Sequence, residues 1–348
     1  MDNNLKPLIT VLMPCYNCEK FIADSIKSIL NQTYKNFILL IINDGSTDGS
    51  PEIIKKFQQL DPRIELLNNK ENLGLVGVRN LGIKKINTKY IAFLDSDDIA
   101  YPARLEKQLS FLEANHDYGM IGTFVEQINE TGQKNKTKWK NSATAQEIPV
   151  ILFFHNCFTQ SSVMVRKSAL ADLTYRLGYA PTEDYDLWIR ISKNWKTYNI
   201  HEVLTKYRIH NANTSTIKRT QQIAGIKQIH RNLLSELNLE ASEEELKIHG
   251  TNGTFRGDDI LKFLNQRERW FKKIIAQNLH IRLYDPIILE KIIAALWLES
   301  AIANAASGWP IFFKCLASSL INKLPVKYYP KIIKLAIKCL LRKNNINE

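Results

Sequence analysis

Asp95, Asp97 and Asp98 fall within four positions, directly after the apolar run Tyr90-Ile91-Ala92-Phe93-Leu94. Carboxylates this close repel one another unless a positive charge sits among them. A hard divalent cation answers that need, because Mg²⁺ and Mn²⁺ prefer oxygen ligands and keep sites open for a substrate's phosphates. The alternative is a solvated acidic turn ahead of the helix expected after Pro102. A second acidic pair, Glu183-Asp184, follows Thr182 and leads into Tyr185-Asp186-Leu187-Trp188-Ile189-Arg190. Acids in a first turn behind a Thr182 N-cap suit the helix dipole and need no further purpose. The chemical alternative is that a carboxylate there takes the proton from an attacking hydroxyl, with the helix N-terminus keeping Asp184 ionised at neutral pH. His210 closes Tyr207-Arg208-Ile209-His210 and reads either as a supporting residue or as a metal ligand.

The elements that position these groups follow from hydrophobic periodicity. Strands are expected over 8–13 (stopped by Pro14), 37–42, 64–67 and 90–94, and helices over 19–30, 51–59 and 74–85. Fourfold alternation of this kind predicts right-handed βαβ units in a doubly wound, mostly parallel α/β sheet with helices on both faces. Ligands bind such sheets beyond the C-terminal strand ends. Those ends carry Pro14 and Tyr16, Asp44, and Asp95 with Asp97, so polar chemistry gathers along one edge. Neither G-x-G-x-x-G nor the P-loop pattern is present, so a glycine-rich phosphate cradle is excluded. A metal at Asp97 would do that work by bridging diphosphate oxygens. Further on, strands are expected at 163–166 and 203–207.

Pro14-x-Tyr16-Asn17, Asn43-Asp44-Gly45-Ser46-Thr47-Asp48, Gly77-Val78-Arg79-Asn80 and Leu94-Asp95-Ser96-Asp97-Asp98 stand in a telling order. From about residue 8 to 212 the chain resembles family 2 glycosyltransferases of the GT-A type. The resemblance implies an inverting transferase that uses a nucleotide-diphosphate sugar, a UDP-sugar, with Mn²⁺ or Mg²⁺. It puts Tyr16, with Pro14, beside the base, Asp44 on the base's imino proton, and Arg79 in support of that pocket. Asp95, with Ser96, would hold the ribose and Asp97 the metal, completed by His210. Asp184 becomes the general base and Glu183 its positioning neighbour. Trp188 is read as core, and His155 and Gln160-Ser161-Ser162 fall toward the acceptor.

Two regions are expected: a nucleotide-sugar-binding and catalytic domain over 1–212, and a helical, basic region over 213–348. The net charge is +12, and fifteen Lys/Arg against five Asp/Glu from Lys262 onward place +10 of it in the tail. That asymmetry points to an anionic partner. Over 330–343, Lys331, Lys334, Lys338 and Arg342 share one helical face; Ile332, Ile333, Ala336, Ile337 and Leu340 share the other. This reads as a helix lying on an anionic membrane surface, or as a packed helix with a solvated basic face. No recognition motif accompanies the charge, so nucleic acid is not expected. No apolar run reaches the ~18 residues that span a bilayer, and the start lacks a signal-peptide pattern. Five cysteines, Cys15-Tyr16-Asn17-Cys18 among them, have no second pair for zinc and no thioredoxin-like context. The expectation is a cytoplasmic protein, peripheral at the inner face of the membrane, that extends a glycan or lipid-linked glycan for a surface polysaccharide. The rivals are a sugar nucleotidyltransferase, whose glycine- and arginine-rich loop is missing, and a non-catalytic scaffold binding nucleotide-sugar or glycolipid.

Overall fold

The computed structural model describes residues 6–251, 253–255 and 259–342. β1 (Ile9–Cys15), α1 (Ile22–Leu30), β2 (Phe37–Asn43), α2 (Ser50–Leu60), β3 (Ile64–Asn68), α3 (Gly74–Lys85) and β4 (Tyr90–Phe93) alternate as the periodicity requires. β1 pairs in parallel with both β2 and β4, and β2 with β3. The chain therefore winds outward to β3 and returns on the other side of β1, so the switch point lies between β1 and β4. Helices cover both faces. Ile9, Val11 and Met13 share a core with Ile22, Ile26 and Ile29 of α1 and Ile54 of α2. Leu12 faces the other way and packs on Gly82 of α3, where a Cβ would collide with its methyls.

The first strand does not stop at Pro14; it continues to Cys15 with Pro14 in register with Ile42. The β4 ladder ends at Leu12 and Phe93, and the Leu94 N–H then goes to the Leu12 carbonyl. Beyond that point no strand faces the N–H that proline lacks, so the residue is tolerated.

β5 (Ile99–Ala100), α4 (Arg104–Ala114), β6 (Tyr118–Ile128), β7 (Lys134–Trp139), α5 (Ile148–Phe154), β8 (Met164–Arg166), α6 (Lys167–Leu170), α7 (Glu183–Ser192) and β9 (Lys196–Arg208) follow. The sheet order is β3-β2-β1-β4-β8-β6-β9-β5, with β7 hydrogen-bonded to β6. β8 runs antiparallel to β4 and β6, and β5 antiparallel to β9, so the sheet is mixed beyond β4. β9 starts well before the expected position 203. Its early inward side chains, Thr197 and Asn199, are 1% and 2% exposed but polar, which hides the alternation from a hydrophobicity reading.

The chain divides into two compact units: residues up to Ile148 with Asn156–Gly225, and Pro149–His155 with Ile226 onward. After α8 (Thr214–Ile217) come α9 (Arg219–Glu236), α10 (Glu243–Gly250), α11 (Ile260–Ile281), α12 (Pro286–Ala303), α13 (Trp309–Ala317) and α14 (Tyr329–Leu341). Ser242 and Glu245 form a capping box on α10, and Asp259 and Asp285 cap α11 and α12. The second unit buries Trp270, Phe271, Trp297 and Leu298 together with Phe153 and Phe154. Among the described residues no helix is long and apolar enough to cross a membrane. α14 buries Leu335 and Cys339, whereas Ile333, Ile337 and Leu340 are 64%, 51% and 65% exposed. The two-faced pattern expected for this helix is therefore three-part: an inward seam, an outward apolar strip, and lysines, of which Lys331 pairs with Glu299 of α12.

Candidate active site

The turn after β4 carries Asp95, Ser96, Asp97 and Asp98, and each is held differently. The Asp95 N–H donates to Ser161 Oγ at 3.1 Å, and Asp95 Oδ1 accepts from Arg79 Nη2 at 2.9 Å. Ser96 ties the turn to α1 through its carbonyl, which accepts from Ser25 Oγ at 2.9 Å. Asp97 Oδ2 lies 2.9 Å from His210 Nε2, with the two side chains 22% and 8% exposed. Asp98 is fully buried and accepts the Arg208 N–H at 2.8 Å. Burial, then the charges of Asp97 and Asp95, raise its pKa well above the ordinary carboxylate range. The crowded carboxylates read from the sequence thus meet His210 and two arginines, Arg79 on Asp95 and Arg208 on Asp98.

Arg208 is the second of those arginines and was not singled out in the sequence. Its Nε donates to the Asp97 carbonyl at 2.8 Å, Nη1 to the Glu130 carbonyl at 2.9 Å, and Nη2 to Asp24 at 3.3 Å. It is 2% exposed. The end of β9 thereby clamps the acidic turn and carries His210 against Asp97. A basic residue two positions before His210 was the available signal.

Among the described residues, no group of three or more His, Cys, Asp or Glu side chains converges as a metal cage. Asp97 and His210 do converge, and two protein donors fit a hard cation that completes its shell with phosphate oxygens and water.

α7 brings the second acidic pair. Glu183, 1% exposed, accepts from Arg79 Nη1 at 2.5 Å, so Arg79 joins Asp95 to Glu183 with its two terminal nitrogens. Arg79 therefore links the acidic turn to α7, whereas the resemblance assigns it to the base pocket. The Asp184 carboxyl takes the Tyr185 N–H on Oδ1 at 2.7 Å and Asn156 Nδ2 on Oδ2 at 3.2 Å. Burial, then the Glu183 charge, push its pKa up to about 7, against the opposing pull of Arg79 and the Tyr185 N–H. Desolvation thus acts on Asp184 against the help that the helix N-terminus is expected to give its ionised form. Thr182 does occupy the N-cap position, but its hydroxyl donates to the Tyr179 carbonyl and makes no cap bond. Trp188 is core, fully buried beside Phe93 and Tyr175.

The loops after β1 and β2 are zipped together. Asn17, at φ +49°, accepts the Thr47 N–H on Oδ1 at 2.8 Å and donates its own N–H to Ser46 Oγ. The Cys18 N–H donates to Ser50 Oγ and the Glu19 N–H to Asp48 Oδ2. Tyr16 stands out from this pair, 52% exposed. Asp44 is buried, and its carboxylate accepts from Asn69 Nδ2, Leu73 N–H and Gly74 N–H at 2.7, 3.0 and 3.0 Å. It thus fixes the entrance of α3 as well as facing this edge. Burial pushes the Cys15 thiol up to about 11 and the Cys18 thiol higher, so both stand as neutral thiols. Of the segment expected on the acceptor side, Gln160 Nε2 donates to the Tyr175 hydroxyl and Ser161 holds Asp95, while His155 groups with the second unit. Asn156, its neighbour, is the residue that reaches Asp184.

A family model described as glycosyl transferase family 2 matches residues 10–174. An uncharacterised glycosyltransferase of Haemophilus influenzae is 35% identical over 234 residues, 65% of this chain and 72% of its own length. WfgD of Escherichia coli, named as a UDP-Glc:alpha-D-GlcNAc-diphosphoundecaprenol beta-1,3-glucosyltransferase, is 34% identical over 213 residues, 61% and 81% of the two chains. Among solved structures, the mannosyltransferase PcManGT of Pyrobaculum calidifontis, in complex with GDP-Man and Mn²⁺, has a TM-score of 0.51 at 17% identity. The match covers 98% of this chain and 89% of that one.

Proposed function

The chain is a family 2 glycosyltransferase, and from that premise we propose that it transfers a sugar from UDP-sugar to a lipid-linked glycan with inversion, in surface-polysaccharide synthesis. Single displacement at an anomeric carbon needs one carboxylate to take the acceptor hydroxyl's proton. The observation that carries the reading is the half-buried Asp184 carboxyl at the start of α7, held by the Tyr185 N–H and Asn156 beside the Arg79–Glu183 pair; desolvation pushes it up to about 7, where a base both ionises and accepts a proton near neutral pH. Glu183 orients the start of α7 through Arg79. On the donor side Tyr16 and Pro14 flank the base, Asp44 accepts its imino proton, and Asp95 with Ser96 receives the ribose. Asp97 and His210 would hold Mn²⁺ or Mg²⁺, which when bound neutralises charge on the leaving diphosphate.

The UDP assignment rests on WfgD, whose identity to this chain is twice that of the GDP-Man-bound mannosyltransferase. The same relative supports a lipid-linked acceptor, and the basic tail with the outward strip of α14 supports a peripheral site on the inner face of the cytoplasmic membrane. The test is hydrolysis of UDP-glucose, UDP-GlcNAc and GDP-mannose, with Mn²⁺, with Mg²⁺ and with chelator. Turnover of a UDP-sugar that chelator and Asp97→Asn both abolish is the expected result. Binding of a nucleotide sugar without turnover of any would favour the scaffold instead. Turnover untouched by chelator and Asp97→Asn would remove the metal.

A further inference from the structure

Asp184 serves as a base only in a rotamer that aims a carboxylate lone pair at the acceptor, and the structure shows what sets that rotamer. Oδ1 is engaged by the N–H of its own neighbour, Tyr185, which turns with the carboxylate and cannot by itself set the rotamer. Oδ2 receives Asn156 Nδ2 at 3.2 Å from a segment 28 residues earlier in the chain. The Asn156 amide is itself locked, because its Oδ1 accepts the Phe158 N–H at 3.0 Å, and a backbone N–H can only donate. That bond fixes which end of the amide is oxygen and turns the NH₂ toward Asp184. The segment is anchored on its far side as well, where Asn199 Nδ2 of β9 donates to the Cys157 carbonyl at 3.1 Å.

We propose that Asn156 is the positioning residue of the general base: its amide N–H fixes the Asp184 carboxylate in the rotamer that meets the acceptor hydroxyl and stabilises the ionised form that takes the proton. The inference rests on Asp184 being the base. The charged and titratable groups around Asp184 are otherwise Glu183, Arg79, Asp95 and Tyr175. Arg79 is committed to Glu183 and Asp95, which leaves Asn156 as the side-chain donor that the structure places on Asp184 itself. Hydrogen bonds to a carboxylate favour its charged state, so the amide works against the burial that raises Asp184.

The decisive substitution is Asn156→Asp. Aspartate keeps the oxygen that accepts the Phe158 N–H, so the turn survives, but it replaces the donor with an acceptor. Asn156→Ala removes both and serves as the second variant. Carboxyl ¹³C NMR titration of full-length protein carrying labelled aspartate, with Asp184→Asn to assign the signal, reads the Asp184 midpoint without substrate. Both variants should raise that midpoint by about 1–2 pH units, the worth of one lost hydrogen bond to a charged group. Hydrolysis of UDP-glucose should fall roughly 10–10²-fold in kcat with KM for donor unchanged, and its acid limb should move up by the same interval. An Asp184 midpoint and kcat both unmoved in folded Asn156→Asp and Asn156→Ala would overturn the proposal. Full activity in Asp184→Asn would instead overturn the base assignment, so the two failures are told apart.

Discussion

Asp184 couples catalysis to stability in opposite directions, and one substitution exposes both. Its carboxyl has a folded pKa raised from 3.8 to about 7, chiefly by burial. A raised carboxylate pKa means the ionised form is disfavoured in the fold, so stability is lost as pH rises from the unfolded value through the folded one. Asp184→Asn should therefore lower kcat by roughly 10²–10⁴ and yet flatten the decline of Tm between about pH 4 and pH 8. Thermal melts across that range alongside kinetics check it, and an unchanged pH dependence of Tm would contradict the burial account. In the unsubstituted enzyme the rate should rise with pH through an acid limb near 7. The candidate residues were legible because strand ends and short motifs are local. Their partners were not: Arg79 meets Glu183 across 104 positions and Asn156 meets Asp184 across 28, and no periodicity reports such pairings.

At the scale of elements, β9 positions the acidic turn, and it does so through Arg208 rather than through its pairing alone. The guanidinium satisfies two backbone carbonyls, Asp97 and Glu130, from a fully buried position. Arg208→Met fills similar volume but leaves those carbonyls without a donor. It should cost roughly 1.5–3 kcal/mol, the range for hydrogen bonds to a charged group, and weaken Mn²⁺ binding by letting the turn and His210 drift apart. Urea denaturation together with Mn²⁺ titration checks both, and unchanged metal affinity would confine Arg208 to folding. The first strands and helices were readable because each buries an apolar stripe at a regular period. β9 was half-read because its early inward residues, Thr197 and Asn199, are polar, and the desolvation of Asp184 was not legible because it is a tertiary quantity.

At the scale of the molecule, the second unit should be sensitive to acid. His230 and His249 are buried there and both have lowered pKa values, His230 to about 4, chiefly through desolvation. His249 accepts from Trp270 Nε1 at 3.2 Å and faces the Phe153 carbonyl at 2.8 Å, the pattern of a neutral imidazole. An unfolded chain takes up these protons below about 6.5 while the folded one refuses them. Stability should thus fall by about 1.4 kcal/mol per pH unit per histidine as pH drops from 6.5 toward 4. Trp fluorescence during urea unfolding at pH 7 and pH 5 reads this, and equal midpoints would refute it. The basic tail yields a second expectation. Because α14 buries Leu335 and Cys339, deleting it would disturb the core; the combined substitution Ile333→Ser, Ile337→Ser and Leu340→Ser spares that seam. It should reduce co-sedimentation with phosphatidylglycerol vesicles, and more so at low salt for the parent protein. Equal binding by parent and variant would discard the membrane face.

The excursion of Pro149–His155 into the second unit has a consequence for biosynthesis. Val150, Leu152, Phe153 and Phe154 are all at most 3% exposed in the finished protein. Yet His249, which covers Phe153, lies 96 positions further along the chain. At translation speeds of 5–20 residues per second, this greasy segment waits uncovered for roughly 5–20 s outside the ribosome. It is a stretch that a nascent-chain chaperone should occupy, and a chain cut short before residue 249 would lack the imidazole that covers Phe153.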